Sequence, residues 1–145
     1  GKVQRTIPSM LDYKVHIGKD SMFNTPPVFP IYVSMLTLEW IKNLGGVSAI
    51  EKINQGKADL LYNEIDRNPL FEGTANKQDR SNMNVCFLLT DGSKETQFNE
   101  MWNEAGISGI KGHRSVGGYR ASIYNAMPKQ SIQVLVDIMR KLENN

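Results

Sequence analysis

The sequence predicts an α/β fold in which a helical arm precedes a small, compact α/β domain. Apolar residues recur at helical spacing along several stretches, whereas residues 83–89 alternate from one face to the other as in a strand. The length of 145 residues is that of one ordinary domain, or of a modest domain with an extra arm.

The first predicted helix begins near Thr25, which can cap it with Pro26 in the first position, and ends at the Gly45–Gly46 pair. Residues 1–25 before it are predicted to form a loop. Loops of this length are uncommon in compact domains unless they are functional or disordered. Because this loop carries apolar side chains such as Ile7 and Leu11, we expect it to pack against further protein.

The second part of the chain is predicted to alternate helices and strands. A helix begins near Val47 and ends before Asn68–Pro69, and a strand covers residues 83–89. Ser93 can cap a third helix, residues 119–124 form a second strand, and Pro128 starts the last helix. The Trp40 and Trp102 side chains fall on helical apolar stripes and are expected in the core.

The composition excludes several classes of protein. With 40% hydrophobic and 22% charged residues, the chain is globular and not disordered. It has no apolar run of about 18 residues, which argues against a membrane-spanning helix, and Gly1 to Asp20 lack a signal-peptide layout. A net charge of +2 does not indicate binding to nucleic acid or to an anionic membrane. A single cysteine, Cys86, excludes an intrachain disulfide and fits a cytoplasmic setting.

The segment from Lys111 to Arg120 is the first candidate site. Its glycines allow close approach of a ligand, and His113, Arg114 and Arg120 offer cationic donors that suit a small anion. In a strand from Tyr119, the side chains of Arg120, Ser122 and Tyr124 share one face. A solvated basic hairpin turn is the alternative interpretation.

Asn24 and Thr25 form the second candidate site, just ahead of a predicted helix. A side-chain amide and a hydroxyl in this position can receive a phosphate, which the helix dipole favours. Pro26 and Pro27 remove backbone donors, so the side chains would do more of the binding. Simple capping of the helix by Thr25 is the alternative.

Other reactive residues are predicted to be structural. His16 is expected to be an exposed loop residue, and two histidines 96 positions apart do not form a metal site. Cys86 lies in an apolar strand and is expected to have no basic neighbour, so we expect an inert thiol. No carboxylate pair stands out for acid–base chemistry.

The chain resembles the phosphoserine aminotransferases over essentially its whole length. The resemblance is carried by Phe23-Asn24-Thr25-Pro26-Pro27, Lys111-Gly112-His113-Arg114 and Gly117-Gly118-Tyr119-Arg120-Ala121-Ser122-Ile123-Tyr124-Asn125-Ala126-Met127-Pro128. Pro8 to Tyr13, Gly45–Gly46 and Asp79 to Val85 also match the family pattern. The resemblance implies the C-terminal portion of a fold-type I pyridoxal-phosphate enzyme. Residues 1–44 would finish the large cofactor domain, and residues 45–145 would form a bridging helix and the small α/β domain.

The resemblance also implies an activity and site roles. The family transfers an amino group from glutamate to 3-phosphohydroxypyruvate in serine biosynthesis, giving O-phosphoserine and 2-oxoglutarate, and in many bacteria it also serves pyridoxal-phosphate synthesis. Its members are homodimers with active sites shared across the interface. By resemblance, Asn24 and Thr25 bind the cofactor phosphate of the neighbouring subunit. Arg120 holds the substrate α-carboxylate, and His113 and Arg114 grip the substrate phosphate.

The family's Schiff-base lysine, in its Gln-Lys-Asn setting, has no counterpart in this sequence, and neither has the aspartate that pairs with the pyridine nitrogen. We therefore expect no catalytic residue in this chain and no activity of the chain alone. An apolar surface is expected around Ile7, Leu11 and Val28, where further protein would pack. A non-catalytic anion-binding or interaction module derived from the small domain is the alternative function.

Overall fold

The computed structural model describes residues 5–115 and 117–144. These residues divide into two compact units, with the boundary between Asn43 and Leu44. Each unit is described by itself.

The first unit contains a short helix, α1 (Tyr13–Ile17), and a long one, α2 (Val28–Asn43). The prediction of a loop over residues 1–25 was wrong at α1. The Asp12 carboxylate accepts a hydrogen bond of 3.0 Å from the Lys14 N–H and so caps this helix. Five residues are too few to produce a recognisable apolar period.

Helix α2 begins three residues after Thr25, so the prediction that Thr25 caps it was wrong. Although all sixteen residues of α2 are described, none of them is buried. Trp40 is 39% exposed, which contradicts its predicted place in the core. Ile7, Leu11 and Val28 are exposed as well, as expected for an apolar surface. Because α2 is apolar around most of its circumference, it has the composition of a helix that other protein covers.

The second unit begins with helix α3 (Val47–Arg67), which the Gly45–Gly46 pair separates from α2 as predicted. Three strands follow in the order β1 (Phe71–Gly73), β2 (Asn84–Leu89) and β3 (Tyr119–Ser122), and they form an antiparallel sheet. The alternation predicted for the middle strand is confirmed, since Val85 and Phe87 are fully buried. Strand β1 was not predicted, and the strand predicted over 119–124 ends at residue 122.

Two further helices complete the unit: α4 (Glu95–Glu104) and α5 (Lys129–Glu143). Pro128 is the N-cap of α5, which confirms the predicted start. The predicted cap at Ser93 was wrong. Asp91 accepts from the Ser93 N–H at 2.9 Å, and a 3₁₀ turn over Gly92–Lys94 precedes α4.

One hydrophobic core fills the second unit. It is built from α3, α4, α5 and one face of the sheet, and includes the predicted core residue Trp102. Phe71, Phe87, Phe98 and Tyr119 form an aromatic cluster with ring centroids 5.0–5.8 Å apart. The mixed α/β fold predicted from the sequence is confirmed. The opposite face of the sheet carries polar side chains, among them those of Asn84, Arg120 and Ser122.

Candidate functional site

The segment 110–120 of the second unit forms a closed loop at the start of β3. The Arg120 N–H donates to the Ile110 carbonyl oxygen at 2.7 Å, and the Gly112 N–H donates to the Gly118 carbonyl oxygen at 2.8 Å. Ile110 and Tyr119 are buried and anchor the stem of this loop in the core. Val116 lies outside the described residues. The loop is therefore fixed at its base, with His113 and Arg114 beyond the stem.

Glycine is required at two positions of this loop. Gly118 has φ +65°, and a Cβ atom added to it would lie 2.5 Å from Leu88 Cδ2. A Cβ atom on Gly112 would overlap the carbonyl oxygen of Gly117. At Gly112 the two sides of the stem, and at Gly118 the loop and β2, therefore approach more closely than a side chain would allow.

His113 and Arg114 are exposed on the loop. The Ser115 N–H donates to His113 Nδ1 at 3.3 Å, and the Ser115 hydroxyl lies 2.7 Å from the same nitrogen. Because Nδ1 accepts a hydrogen bond, the proton of the neutral ring sits on Nε2. His113 therefore keeps an Nε2–H donor on an exposed side chain, one residue before Arg114.

Arg114 and Arg120 differ from the other arginines of the second unit in having no acidic partner among the residues that the structure describes. Arg67, Arg80 and Arg140 lie 2.6, 2.6 and 2.9 Å from carboxylate oxygens. Within residues 5–115 and 117–144, no carboxylate lies within ion-pair distance of Arg114 or Arg120. Both are exposed, so their guanidinium groups remain able to bind an external anion.

Arg120 lies on the polar face of the sheet, opposite Cys86 of β2. The expectation that Cys86 has no basic neighbour was wrong, since the strand register places a guanidinium side chain beside it. Ser122 and Asn84 form the next pair of residues on this face. The Asn84 Oδ1 atom accepts hydrogen bonds from the Ser122 and Tyr124 hydroxyls, each at 3.2 Å.

Asn24 and Thr25 lie in the first unit, next to one another before α2. The Asn24 amide donates to Met10 Sδ at 3.3 Å, and both residues are exposed. The Val28 N–H already donates to the Pro26 carbonyl oxygen at 2.8 Å, and Pro26 has no N–H of its own. Binding of an anion here would rest mainly on the Asn24 amide and the Thr25 hydroxyl.

His16 holds the loop that leads to Asn24. Its Nε2 atom lies 3.0 Å from the Met10 carbonyl oxygen, and its ring makes an edge contact with Phe23, with centroids 5.6 Å apart. The side chain is half-buried, so the prediction of an exposed loop histidine was wrong. Met10 thus contacts both His16 and Asn24, and these contacts stabilise the conformation of residues 10–24.

Two residues close to the candidate site, Asn84 and Lys57, were not predicted to belong to it. Asn84 was part of a family motif but had no assigned role, and Lys57 was an ordinary helix position. Lys57 is fully buried and donates to the carbonyl oxygens of Ile123 and Tyr124, just after β3. Only the fold brings these residues to the polar face and to the end of β3.

The described part of the chain contains no group of three His, Cys, Asp or Glu residues able to hold a metal ion. Within the same residues, no helix is both long and apolar enough to cross a membrane.

Residues 3–135 match the family model described as aminotransferase class-V. The chain belongs to the class-V aminotransferase family.

Among class-V aminotransferases, the chain is similar to the phosphoserine aminotransferase of Flavobacterium psychrophilum. The two are 67% identical over 144 residues, which is 99% of this chain and 40% of the relative. The chain thus spans about 40% of the length of this curated relative, and the matched part is its C-terminal part.

Two solved structures have the same fold. A phosphoserine aminotransferase from a study of radiation damage to its Schiff base is 46% identical, with a TM-score of 0.86 over 100% of this chain and 40% of that one. The pyridoxal-phosphate-bound phosphoserine aminotransferase of Trichomonas vaginalis is 34% identical. Its TM-score is 0.80 over 96% of this chain and 40% of that one.

The five predicted site residues fall into two groups. Asn24 and Thr25 are neighbours in the first unit, whereas His113, Arg114 and Arg120 lie on one loop and strand of the second unit. The structure places every one of them at an exposed position.

Proposed function

We propose that this chain forms part of a pyridoxal-phosphate-dependent phosphoserine aminotransferase. The enzyme would transfer an amino group from L-glutamate to 3-phosphohydroxypyruvate, giving O-phospho-L-serine and 2-oxoglutarate. The observation that carries this proposal is the pair of exposed arginines, Arg114 and Arg120, which have no acidic partners in the described part of the chain. The similarity to curated phosphoserine aminotransferases supports the choice of substrate. The metabolic setting would be serine biosynthesis in the cytoplasm and, in a bacterium, pyridoxal-phosphate synthesis as well.

The two arginines suit the two anionic groups of the substrate. Arg120 projects from a strand whose backbone is paired on both sides, so it would hold the α-carboxylate in a defined position. Arg114 and the Nε2–H of His113 would bind the substrate phosphate. A planar guanidinium forms two parallel hydrogen bonds with either group. Glutamate would place its side-chain carboxylate where the phosphorylated substrate places its phosphate.

Asn24 and Thr25 fit the phosphate of pyridoxal phosphate. Both are exposed donors before a sixteen-residue helix, whose N-terminus favours an anion. Among the described residues, the Thr25 hydroxyl makes no hydrogen bond, so it is available to a phosphate oxygen. Pyridoxal phosphate, when bound, supplies an electron sink for chemistry at the α-carbon. In this chain the contribution of Asn24 and Thr25 would be to hold and orient its phosphate.

The remaining catalytic groups would come from outside these 145 residues. The lysine that bonds the cofactor and the aspartate that pairs with its ring nitrogen are implied by the family, and this sequence has no matching motif. The chain would therefore bind and orient substrates without itself moving the proton at the α-carbon, and it would be inactive alone.

We also propose that the whole protein is a homodimer whose active sites are shared between subunits. The exposed apolar side chains of α2 support an extensive interface with further protein. Phe29, Val28 and Leu38 are 76%, 63% and 67% exposed. Exposed apolar surface of this kind marks interaction sites. Either the rest of the same subunit or the second subunit would cover it.

The proposal is tested by ligand binding to the whole protein that contains this chain. A suitable ligand is 3-phosphoglycerate, which has the substrate's phosphate and carboxylate but no amino or keto group to react. Arg114→Ala and Arg120→Ala should each weaken binding by about one to two decades, since a charge-assisted hydrogen bond contributes roughly 1.5–3 kcal/mol. Lys141→Ala, which removes an exposed cation from α5, is the matched control.

A second measurement separates the enzyme from the binding module. Amino transfer from glutamate to 3-phosphohydroxypyruvate by the whole protein is expected. Tight binding of 3-phosphoglycerate without transfer would instead support the non-catalytic anion-binding module. Unchanged binding in both arginine variants would remove these residues from the site.

A further inference from the structure

The polar face of the sheet carries a side-chain amide next to Arg120. Asn84 is the first residue of β2 and pairs with Ser122, while Cys86, two residues on, pairs with Arg120. Residues two apart on a strand share a face, so Asn84 and Arg120 lie on the same side of the sheet. They are diagonal neighbours, a separation that a long side chain such as arginine spans.

The orientation of the Asn84 amide is set by two hydroxyl groups. The Ser122 and Tyr124 hydroxyls both donate to Asn84 Oδ1, each at 3.2 Å. This oxygen has two lone pairs, so both are used. Within the described parts of the chain, Asn84 Nδ2 makes no hydrogen bond. The amide is thus held by its oxygen, with its NH₂ group left without a partner.

The strand does not need this side chain for its own pairing. The Asn84 backbone N–H donates to the Ser81 hydroxyl oxygen at 3.1 Å. Next to it, the Ile123 N–H donates to the Met83 carbonyl oxygen at 2.9 Å, which closes the ladder between the two strands. The backbone groups at this end of the sheet are therefore satisfied without the amide. The hydrogen bonds from the Ser122 and Tyr124 hydroxyls to Asn84 Oδ1 therefore orient the amide and do not serve strand pairing.

We propose that Asn84 is a second donor to the carboxylate bound at Arg120, and that Ser122 and Tyr124 are positioning residues that orient its amide. This inference rests on the proposed role of Arg120 and adds a second hydrogen-bond donor to the carboxylate site. A carboxylate has about four acceptor sites, and the guanidinium fork of Arg120 fills two of them. The Asn84 NH₂ group would fill a third and fix the rotation of the carboxylate about the arginine.

The inference is tested by equilibrium binding of two probes to the whole protein. Glutarate carries carboxylates and no amino group to react, and inorganic phosphate reports on the Arg114 side. Asn84→Leu should weaken glutarate binding roughly tenfold, as expected for a lost hydrogen bond to a charged group. It should leave phosphate binding unchanged. Asn84→Asp should weaken glutarate binding further, because it places a second anion beside the ligand.

Two further variants distinguish orientation from structure. The double variant Ser122→Ala, Tyr124→Phe keeps the Asn84 amide but removes the groups that orient it, so a smaller loss of glutarate affinity is expected. Asn82→Leu is the matched control, since the Asn82 amide donates to Gln55 Oε1 and takes no part in this face. It should bind glutarate like the parent protein.

The outcomes separate this inference from the proposed function. Arg120→Ala without any loss of glutarate affinity would overturn the proposed carboxylate site, and the role of Asn84 with it. A clear loss in Arg120→Ala together with parental affinity in Asn84→Leu would overturn the role of Asn84 alone. Should Asn84→Leu fail to fold, the double variant decides, because unchanged glutarate binding there would contradict the orienting role.

Discussion

The ammonium group of Lys57 donates hydrogen bonds to the carbonyl oxygens of Ile123 and Tyr124, at 3.0 and 2.6 Å, while its side chain is fully buried. These carbonyls follow directly after β3, the strand that carries Arg120. Burial lowers the pKa of Lys57 below its usual value. The lysine joins the middle of α3 to the end of the strand that presents the proposed carboxylate site.

Replacement of Lys57 by methionine should destabilise the second unit. Methionine fills similar space but removes the hydrogen bonds to the Ile123 and Tyr124 carbonyl oxygens, of which the second still accepts from the Met127 N–H at 2.9 Å. Each lost bond costs about 1–2 kcal/mol. Relief of the buried charge offsets part of this cost, so we expect a net loss of about 1–2 kcal/mol. Urea denaturation followed by the fluorescence of Trp102, in a Trp40→Phe background, measures the difference.

Lys52→Met on the same helix is the control for this change. Lys52 is exposed, and its loss should alter the free energy of unfolding by less than about 0.5 kcal/mol. Equal stabilities of the Lys57 and Lys52 variants would contradict the structural role of the buried amine.

The stability of the second unit should fall in acid through Asp66. Hydrogen bonding from Arg80, assisted by Lys77, lowers the pKa of the Asp66 carboxyl from 3.8 to about 2. Because the folded state binds this proton more weakly than the unfolded state does, the contribution is fully present above pH 4 and is lost as the pH falls towards 2. Urea midpoints measured between pH 2 and 6 should show this decline. In Asp66→Asn the decline should be shallower, and a profile parallel to that of the parent would exclude Asp66 as its source.

Gly56 is a position where the protein should gain stability. It lies inside α3, and a Cβ atom added there meets no atom within 4 Å. Glycine in a helix interior is less favourable than alanine by about 0.5–1 kcal/mol. Gly56→Ala should therefore raise the free energy of unfolding by that amount in urea denaturation. A lower stability would show that the backbone at this position is not an ordinary helix.

The sequence was sufficient to predict the helices and strands whose apolar residues recur with a clear period. Helices α3 and α5 have a buried stripe on one face, and in β2 the fully buried Val85 and Phe87 alternate with less buried neighbours. The apolar periods of these elements therefore predicted them. Strand β1 and helix α1 have three and five residues, too few for any period. In α2 the predicted apolar residues do lie on a helix, but none of them is buried in a core. Further protein would be needed to cover them.

The candidate site was predicted from the chemistry of its residues. The neighbours that the fold places beside those residues were not predicted. The glycines and arginines of the 111–120 segment indicated an anion site, and Arg114 and Arg120 indeed have no acidic partner within the described residues. Strand register, in contrast, cannot be deduced from one strand's sequence. The pairing of Cys86 with Arg120, and the convergence of Ser122 on Asn84, therefore required the three-dimensional structure.

Because the two sides of the loop stem approach closely at Gly112, a side chain there should weaken anion binding without an equal loss of stability. Gly112→Ala would push a methyl group into the Gly117 carbonyl oxygen, which would displace the loop that carries Arg114. Because this loop is exposed beyond its stem, the core should be little affected. We expect weaker binding of inorganic phosphate to the whole protein, by roughly tenfold if the Arg114 contact is lost. Gly92→Ala, where an added Cβ meets no atom within 4 Å, should bind phosphate normally. Parental affinity in both variants would show that the stem geometry does not position Arg114.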